Sequence, residues 1–241
     1  MGSRSQACTA EWTSRSTFEN SIEPLVTVSE RIRFIAKPLA FLACLSPFLI
    51  LGYNAYTDNL SANPIDDITD TTGIWTLRFL MITLAVTPVR KLSKWNWLIR
   101  FRRMFGLFAF FSGTLHFFTY LYLDQFFLWE EILADIPQRP FIAAGFAAFV
   151  LMIPLAVTSS DRIAKWMGGK RWRRLHRLVY FSALGGVIHY HWLVKADTRD
   201  PLIYGAILLA LMGIRLWFFI RERIARAPAL SHSAGVEKGL Y

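Results

Sequence analysis

The stretch that decides the fold is Arg102–Asp124, RRMFGLFAFFSGTLHFFTYLYLD. It opens on two arginines, runs from Met104 to Leu123 without a formal charge, and closes on Asp124. A helix needs about 20 mostly apolar residues to cross a bilayer, so this run reads as a transmembrane helix. One residue inside it, His116, is out of keeping with hydrocarbon. Ionisable side chains within a span are costly and usually functional.

Outward from this run, five more segments read the same way. Pro38–Thr57 and Pro140–Ser160 carry no charge, and Trp75–Val89 is shorter, with Arg78 near one end. Leu175–Val194 holds His176, His189 and His191, and Pro201–Ile220 is apolar except for Arg215, whose long side chain is expected to snorkel to the interface. The expected fold is an all-α integral membrane protein, a bundle of six transmembrane helices. The totals agree: of 241 residues 54% are hydrophobic and only 18% charged, less charge than a soluble domain carries. The net charge of +10 does not point to nucleic acid, because the bases sit in short connections between apolar runs.

Those connections set the orientation. Arg90, Lys91, Lys94, Arg100, Arg102 and Arg103 lie between the second and third spans. Arg162, Lys165, Lys170, Arg171, Arg173 and Arg174 lie between the fourth and fifth, and Arg221, Arg223 and Arg226 follow the sixth. The connection after the first span carries Asp58, Asp66, Asp67 and Asp70; the one after the third carries Asp124, Glu130, Glu131 and Asp135 against Arg139. Basic and acidic connections alternate, and the positive-inside rule then puts both termini in the cytoplasm. Residues 1–33 read as a polar extension without the apolar core of a signal peptide. Residues 34–225 read as the transmembrane domain and 226–241 as a cytoplasmic tail. The outer loop Thr57–Gly73 contains the turn signals Asn63-Pro64 and Thr72-Gly73. No internal repeat is visible. Cys8 and Cys44 form no metal-ligand spacing, and Cys44 reads as packing.

The histidines carry the chemistry. His116 comes 13 residues after Arg103 and His189 15 residues after Arg174. At about 1.5 Å per residue both lie roughly 20 Å in from the basic side, at one depth on two helices. That is the placement a bis-histidine haem needs, imidazole being a usual axial ligand of haem iron; the competing reading is a structural hydrogen bond between helices. His176, 13 residues before His189, sits at the basic mouth of its span. On an ideal helix it is rotated by about 140° from His189, so a shared direction needs a distortion, which Gly185-Gly186 would permit. No third-span histidine lies opposite it, and Met104 there reads as a thioether ligand or as core filler. His191 faces another side and His232 lies in the tail. Arg102-Arg103 reads either as a topology and lipid-headgroup signal or as a binder of a haem propionate or flavin phosphate.

In combination, several runs resemble the haem-binding membrane subunits of bacterial methionine-sulfoxide reductase systems and, more broadly, ferric-reductase-like transmembrane domains. They are Thr72-Gly73-Ile74-Trp75, Thr83-Leu84-Ala85-Val86-Thr87-Pro88, Arg102-Arg103-Met104-Phe105-Gly106-Leu107, Leu175-His176-Arg177-Leu178-Val179-Tyr180, His189-Tyr190 and Val194-Lys195-Ala196-Asp197. The resemblance implies a bacterial inner-membrane protein that binds haem b and FMN. Its electrons would come from the quinone pool or a cytosolic flavin reductase. They would pass to a periplasmic molybdopterin-containing methionine-sulfoxide reductase that repairs oxidised envelope proteins. By the same match, His116 and His189 are outer haem ligands, His176 is the third family histidine, and Arg102 and Arg103 lie on the inner, flavin side. Two other readings compete. A ferric or oxygen reductase with the same core is expected to carry a FAD/NADPH domain after the last span, and about 20 residues follow Ile220. A proton-relaying transporter predicts no haem absorbance.

Overall fold

A computed structural model describes residues 32–236, with side chains described for 34–225; most of the expected extension 1–33 and the last five residues lie outside it. Among the described residues every regular element is helical. The chain divides into two units, residues 1–50 and 51–241. A short π-helical turn, Ile32–Ala36, leads straight into α1 (Lys37–Tyr56). Leu39, Leu42, Leu49 and Ile50 of this helix are exposed, as befits a helix whose solvent is lipid.

In the second unit α2 (Pro64–Ser93) is the central element; it contacts α3 (Arg102–Phe118), α8 (Leu178–Leu193) and α9 (Arg199–Val236). A π-helical turn, Thr119–Asp124, extends α3. The short α4 (Trp129–Gln138) then leads to α5 (Pro140–Val157), and α6 (Asp161–Met167) and α7 (Gly169–Leu175) connect α5 to α8. Among the described residues five helices are long and apolar enough to cross a membrane: Phe34–Tyr56, Pro64–Ser93, Arg102–Asp124, Pro140–Val157 and Arg199–Ala225.

Three expectations change. The outer loop shrinks to residues 57–63, because Asn63-Pro64 starts α2 rather than making a turn: Asn63 is the N-cap and Pro64 takes the first helical position. Asp66 and Asp67 fall in the first turn, where carboxylates favour the positive helix end. Thr72-Gly73 lies inside the helix, with Thr72 buried and its hydroxyl donating to the Ile68 carbonyl at 2.7 Å. Second, the expected fifth span is divided. α7 ends at Leu175 and α8 begins at Leu178, leaving His176 and Arg177 at the junction. His176 therefore does not share a helix with His189, and the angular argument from an unbroken helix does not apply. Third, the Gly185-Gly186 pair does not distort α8. A Cβ on Gly185 would meet the Ala148 Cβ at 3.0 Å, so this glycine serves close approach of α8 to α5. The backbone also stays helical to Val236, past the expected end of the last span.

Packing follows membrane rules. Lipid tails remove the hydrophobic drive between helices, leaving van der Waals fit, small residues and interhelical hydrogen bonds. The tightest neighbours are the antiparallel pairs α2–α3 and α5–α8. Each carries one fully buried serine bridge: Ser112 donates to the Thr72 carbonyl at 2.8 Å and Ser182 to the Ala148 carbonyl at 2.8 Å. Leu77, Phe79, Leu80 and Leu84 of α2, with Phe108, Ala109, Val179 and Ala183, form the buried centre.

Candidate functional site

The two serine-bridged helix pairs each deliver one histidine to the same place. His116, near the end of α3, packs on Gly73 of α2, where an added Cβ would meet its Cε1 at 3.0 Å. His189, near the end of α8, packs on Gly145 of α5, where an added Cβ would meet its Nδ1 at 2.7 Å. Each ring is tied to the helix it leans on. His116 Nδ1 lies 3.0 Å from the Thr69 carbonyl oxygen, and His189 Nδ1 lies 2.6 Å from that of Phe141. In both cases the carbonyl belongs to the residue four before the glycine, Thr69 before Gly73 and Phe141 before Gly145. The construction is thus the same twice over: a glycine gives the ring room, and the preceding turn supplies an acceptor.

Those bonds fix the tautomer. A carbonyl oxygen can only accept, so Nδ1 of each ring carries the proton and donates it. The lone pair of the neutral ring is then at Nε2, and among the described residues neither Nε2 has a protein partner. This is how metal-binding histidines are usually held, with one nitrogen orienting and the other free to ligate. The two ring centroids are 6.0 Å apart at 76°. Two metal–nitrogen bonds of about 2.0 Å, plus the offset of each nitrogen from its ring centre, come to about 6 Å, which matches the spacing of the two rings. Among the described residues no group of three or more His, Cys, Asp or Glu could hold a metal. Two imidazoles with no third protein ligand suit an iron whose other positions a macrocycle fills. Aromatic rings line the α3–α5 boundary beside them: Phe117 stacks on Phe149 at 5.0 Å, Phe110 on Phe149 at 5.8 Å, and Phe117 approaches Phe146 at 6.0 Å.

The structure does not bring His176 to this pair. Its ring stacks on Trp172 at 3.9 Å, and its Nε2 lies 3.0 Å from the Thr158 hydroxyl. That hydroxyl is also 2.6 Å from the Pro154 carbonyl, which can only accept, so the hydroxyl donates there and accepts from His176 Nε2–H. Trp172 donates to the Thr158 carbonyl at 2.9 Å and completes the knot. His191 is exposed and makes no part of the site.

The arginine pair separates. Arg103 is ion-paired with Asp161 at 2.5 Å, which holds the exposed Asp161 carboxyl below its usual range. Arg102 is half-buried where Arg103 is exposed. Arg215 does not snorkel outward. It donates to the Tyr180 hydroxyl at 2.6 Å and to the Leu84 carbonyl at 2.6 Å.

Sequence reasoning missed Gly73, Gly145, Thr69 and Phe141, along with the Trp172–Thr158 support of His176. A glycine on the helix next to each intramembrane histidine was the available signal, but Thr72-Gly73 read as a turn.

Comparison with known proteins shows what the chain is similar to. Residues 72–187 match the family model described as a ferric reductase like transmembrane component. The chain is 52% identical over 191 residues, 78% of its length and 88% of the relative's, to the protein-methionine-sulfoxide reductase heme-binding subunit MsrQ of Herminiimonas arsenicoxydans. It is 52% identical over 181 residues to the same subunit of Azospira oryzae, covering 75% of this chain and 78% of that one. For the Ralstonia nicotianae subunit the identity is 49% over 196 residues, 80% of this chain and 89% of the relative. No solved structure matches.

Proposed function

The chain belongs to the family of MsrQ heme-binding subunits of protein-methionine-sulfoxide reductases, and on that premise we propose that His116 and His189 are the two axial ligands of a haem b. The observation that carries the reading is the ring pair at 6.0 Å with both Nδ1 atoms committed to backbone carbonyls. The haem, when bound, supplies a one-electron redox centre. The protein's own part is to hold the rings. The Thr69 and Phe141 carbonyls keep each imidazole in one tautomer and make Nε2 a better donor to iron. Gly73 and Gly145 let the rings lie flush against their neighbouring helices.

The fuller reading is an electron-transfer subunit of the bacterial inner membrane. Six spans, with α8 as the fifth crossing and α9 as the sixth, put both termini in the cytoplasm, on the strength of the alternating basic and acidic connections. Electrons enter from the quinone pool or from a cytosolic flavin reductase and leave to a periplasmic molybdopterin-containing methionine-sulfoxide reductase. FMN binds toward the basic side, where Arg102 and Arg103 offer guanidinium forks suited to phosphate. His176 serves there as a cofactor contact; ligation by its Nε2 requires release of the Thr158 hydroxyl. The chain holds no catalytic acid, base or nucleophile in this scheme, because the chemistry belongs to the partner.

The test is a reduced-minus-oxidised spectrum of the detergent-purified protein with His116→Ala and His189→Ala. The expected result is a b-type spectrum lost or strongly diminished in both variants. A folded wild-type protein without haem, or variants that keep it in full, overturns the assignment.

A further inference from the structure

A second convergence of charged side chains lies well away from the histidine pair. Arg102 precedes His116 by 14 residues on α3, roughly 21 Å of helix. Arg90, near the end of α2, and Arg215, of α9, are half-buried like Arg102, and each is electrostatically coupled to it. Three half-buried guanidinium groups from three helices repel one another, and the local dielectric does little to screen them. Among the described residues the ion pairs are Lys91–Glu222, Arg103–Asp161, Arg139–Asp135 and Arg199–Asp197, none of which includes Arg90, Arg102 or Arg215.

Unmet hydrogen-bonding capacity gathers at the same place. Four buried side-chain atoms among the described residues have no partner, and three of them are Arg90 Nε, Arg215 Nε and Thr87 Oγ1. Buried polar groups left unpaired are costly and uncommon, so three together call for an acceptor from outside the chain. A cavity of about 150 Å³ opens beside Thr87 and Arg215, its lining completed by Pro88, Lys91 and Phe218. It is large enough for a small anion with water and too small for a flavin ring system.

We propose that Arg90, Arg102 and Arg215, with the Thr87 hydroxyl, form a binding site for a phosphoryl group between α2, α3 and α9. A phosphoryl group offers several acceptor oxygens around one centre, which suits forked guanidinium donors arriving from three directions. Two sources share that chemistry: the phosphate of FMN and the headgroup of an anionic lipid. The FMN arm rests on the flavin reading above and deepens it, replacing Arg103, which Asp161 already holds, by Arg90, Arg215 and Thr87. The anion arm stands without that reading.

The test uses the full chain in detergent, with Arg90→Gln and Thr87→Val. Both changes remove a group that has no protein hydrogen bond to lose at the atom concerned; Arg171→Gln, an exposed charge elsewhere, is the comparison. Three readouts are taken: FMN against riboflavin affinity by flavin fluorescence, thermal stabilisation by inorganic phosphate against chloride at equal ionic strength, and stabilisation by cardiolipin against phosphatidylcholine. In the wild type, phosphate stabilises beyond chloride. Arg90→Gln abolishes this and weakens FMN by about 10- to 100-fold, the worth of one hydrogen bond to a charged group, with riboflavin unchanged. If FMN is unaffected while the cardiolipin effect disappears, the site stands and its occupant is lipid. A folded Arg90→Gln protein that keeps all three responses within twofold overturns the site. Should that variant misfold, a wild type that distinguishes neither phosphate from chloride, FMN from riboflavin, nor cardiolipin from phosphatidylcholine overturns it equally. A protein that lacks haem yet responds to phosphate refutes the haem reading alone.

Discussion

Gly145→Ala tests the seating of His189 most directly, because it touches neither the ligand nor its charge. The new methyl would stand 2.7 Å from His189 Nδ1, 3.0 Å from Cε1 and 3.1 Å from Cγ. Relaxed contacts to carbon begin near ~3.5 Å, so the ring or the helix has to yield by about 0.8 Å. The same displacement, away from α5, lengthens the 2.6 Å hydrogen bond to the Phe141 carbonyl to the outer limit of such bonds. Overpacking a well-filled site costs about 1–3 kcal/mol, and losing the orienting bond about 1 kcal/mol. Together, about 2–4 kcal/mol corresponds to roughly 30- to 700-fold weaker haem retention. The assay is haem per protein after purification and dilution, with the reduced-minus-oxidised spectrum as the quality check. A Gly145→Ala protein with wild-type haem content, spectrum and thermal stability would refute the claim that this glycine exists to seat the ring.

Other outcomes follow from the same geometry. Gly73→Ala, with its closest contact at 3.0 Å to His116, is expected to lose haem in the same way but less severely, while Gly213→Ala, with nothing within 4 Å, leaves haem content unchanged; the order of retained haem is the readout. Asp161→Asn removes the ion pair to Arg103, which contributes stability only while Asp161 is ionised. Because Arg103 holds that carboxyl below its ordinary value of 3.8, the pair is fully present above that value and is lost as pH falls through the lowered one. The melting difference between wild type and Asp161→Asn should therefore shrink on acidification, and a difference independent of pH would contradict the pairing. Glu130→Gln with Glu131→Gln, in the first turn of α4, is expected to slow reduction of the partner enzyme and flatten its salt dependence. Asp66 and Asp67 are poorer probes, since they accept hydrogen bonds from Asn63 Nδ2 and the Ser61 backbone N–H at the start of α2.

How much of this was legible beforehand depends on the length scale over which each signal acts. Spans such as Arg102–Asp124 and Pro140–Val157 announce themselves, because exclusion of charge from hydrocarbon acts on every residue in the run. The depth match of His116 and His189 was equally readable, since it needs only the rise per residue. The start of α2 was misread because Asp66, Asp67, Asp70 and Thr72 are polar, and polarity alone does not separate a loop from a helix projecting beyond the bilayer. At 30 residues α2 is about 45 Å long, more than the hydrocarbon requires. The break at His176-Arg177 was hidden for the opposite reason: the helical pattern continues across it, while the Trp172–Thr158 contacts that shape the junction are tertiary.

The illegible part of the site has a common cause. Nothing in the composition of α2 or α5 says that Gly73 and Gly145 face histidines on other helices. That relation exists only after α3 has folded back on α2 and α8 on α5. Once the folded pairs are known, the rule can be read in reverse. An intramembrane histidine needs a flat place to lie and a fixed proton. A helix supplies both when a glycine follows by one turn a carbonyl that the ring can reach, as Gly73 follows Thr69 and Gly145 follows Phe141. The sequence shows no repeat because only one residue of the five-residue frame, the glycine, is constrained; the acceptor is backbone and any side chain can carry it. The duplication is therefore one of geometry, and it explains how two helix pairs with unrelated sequences present two imidazoles in the same tautomer at one depth.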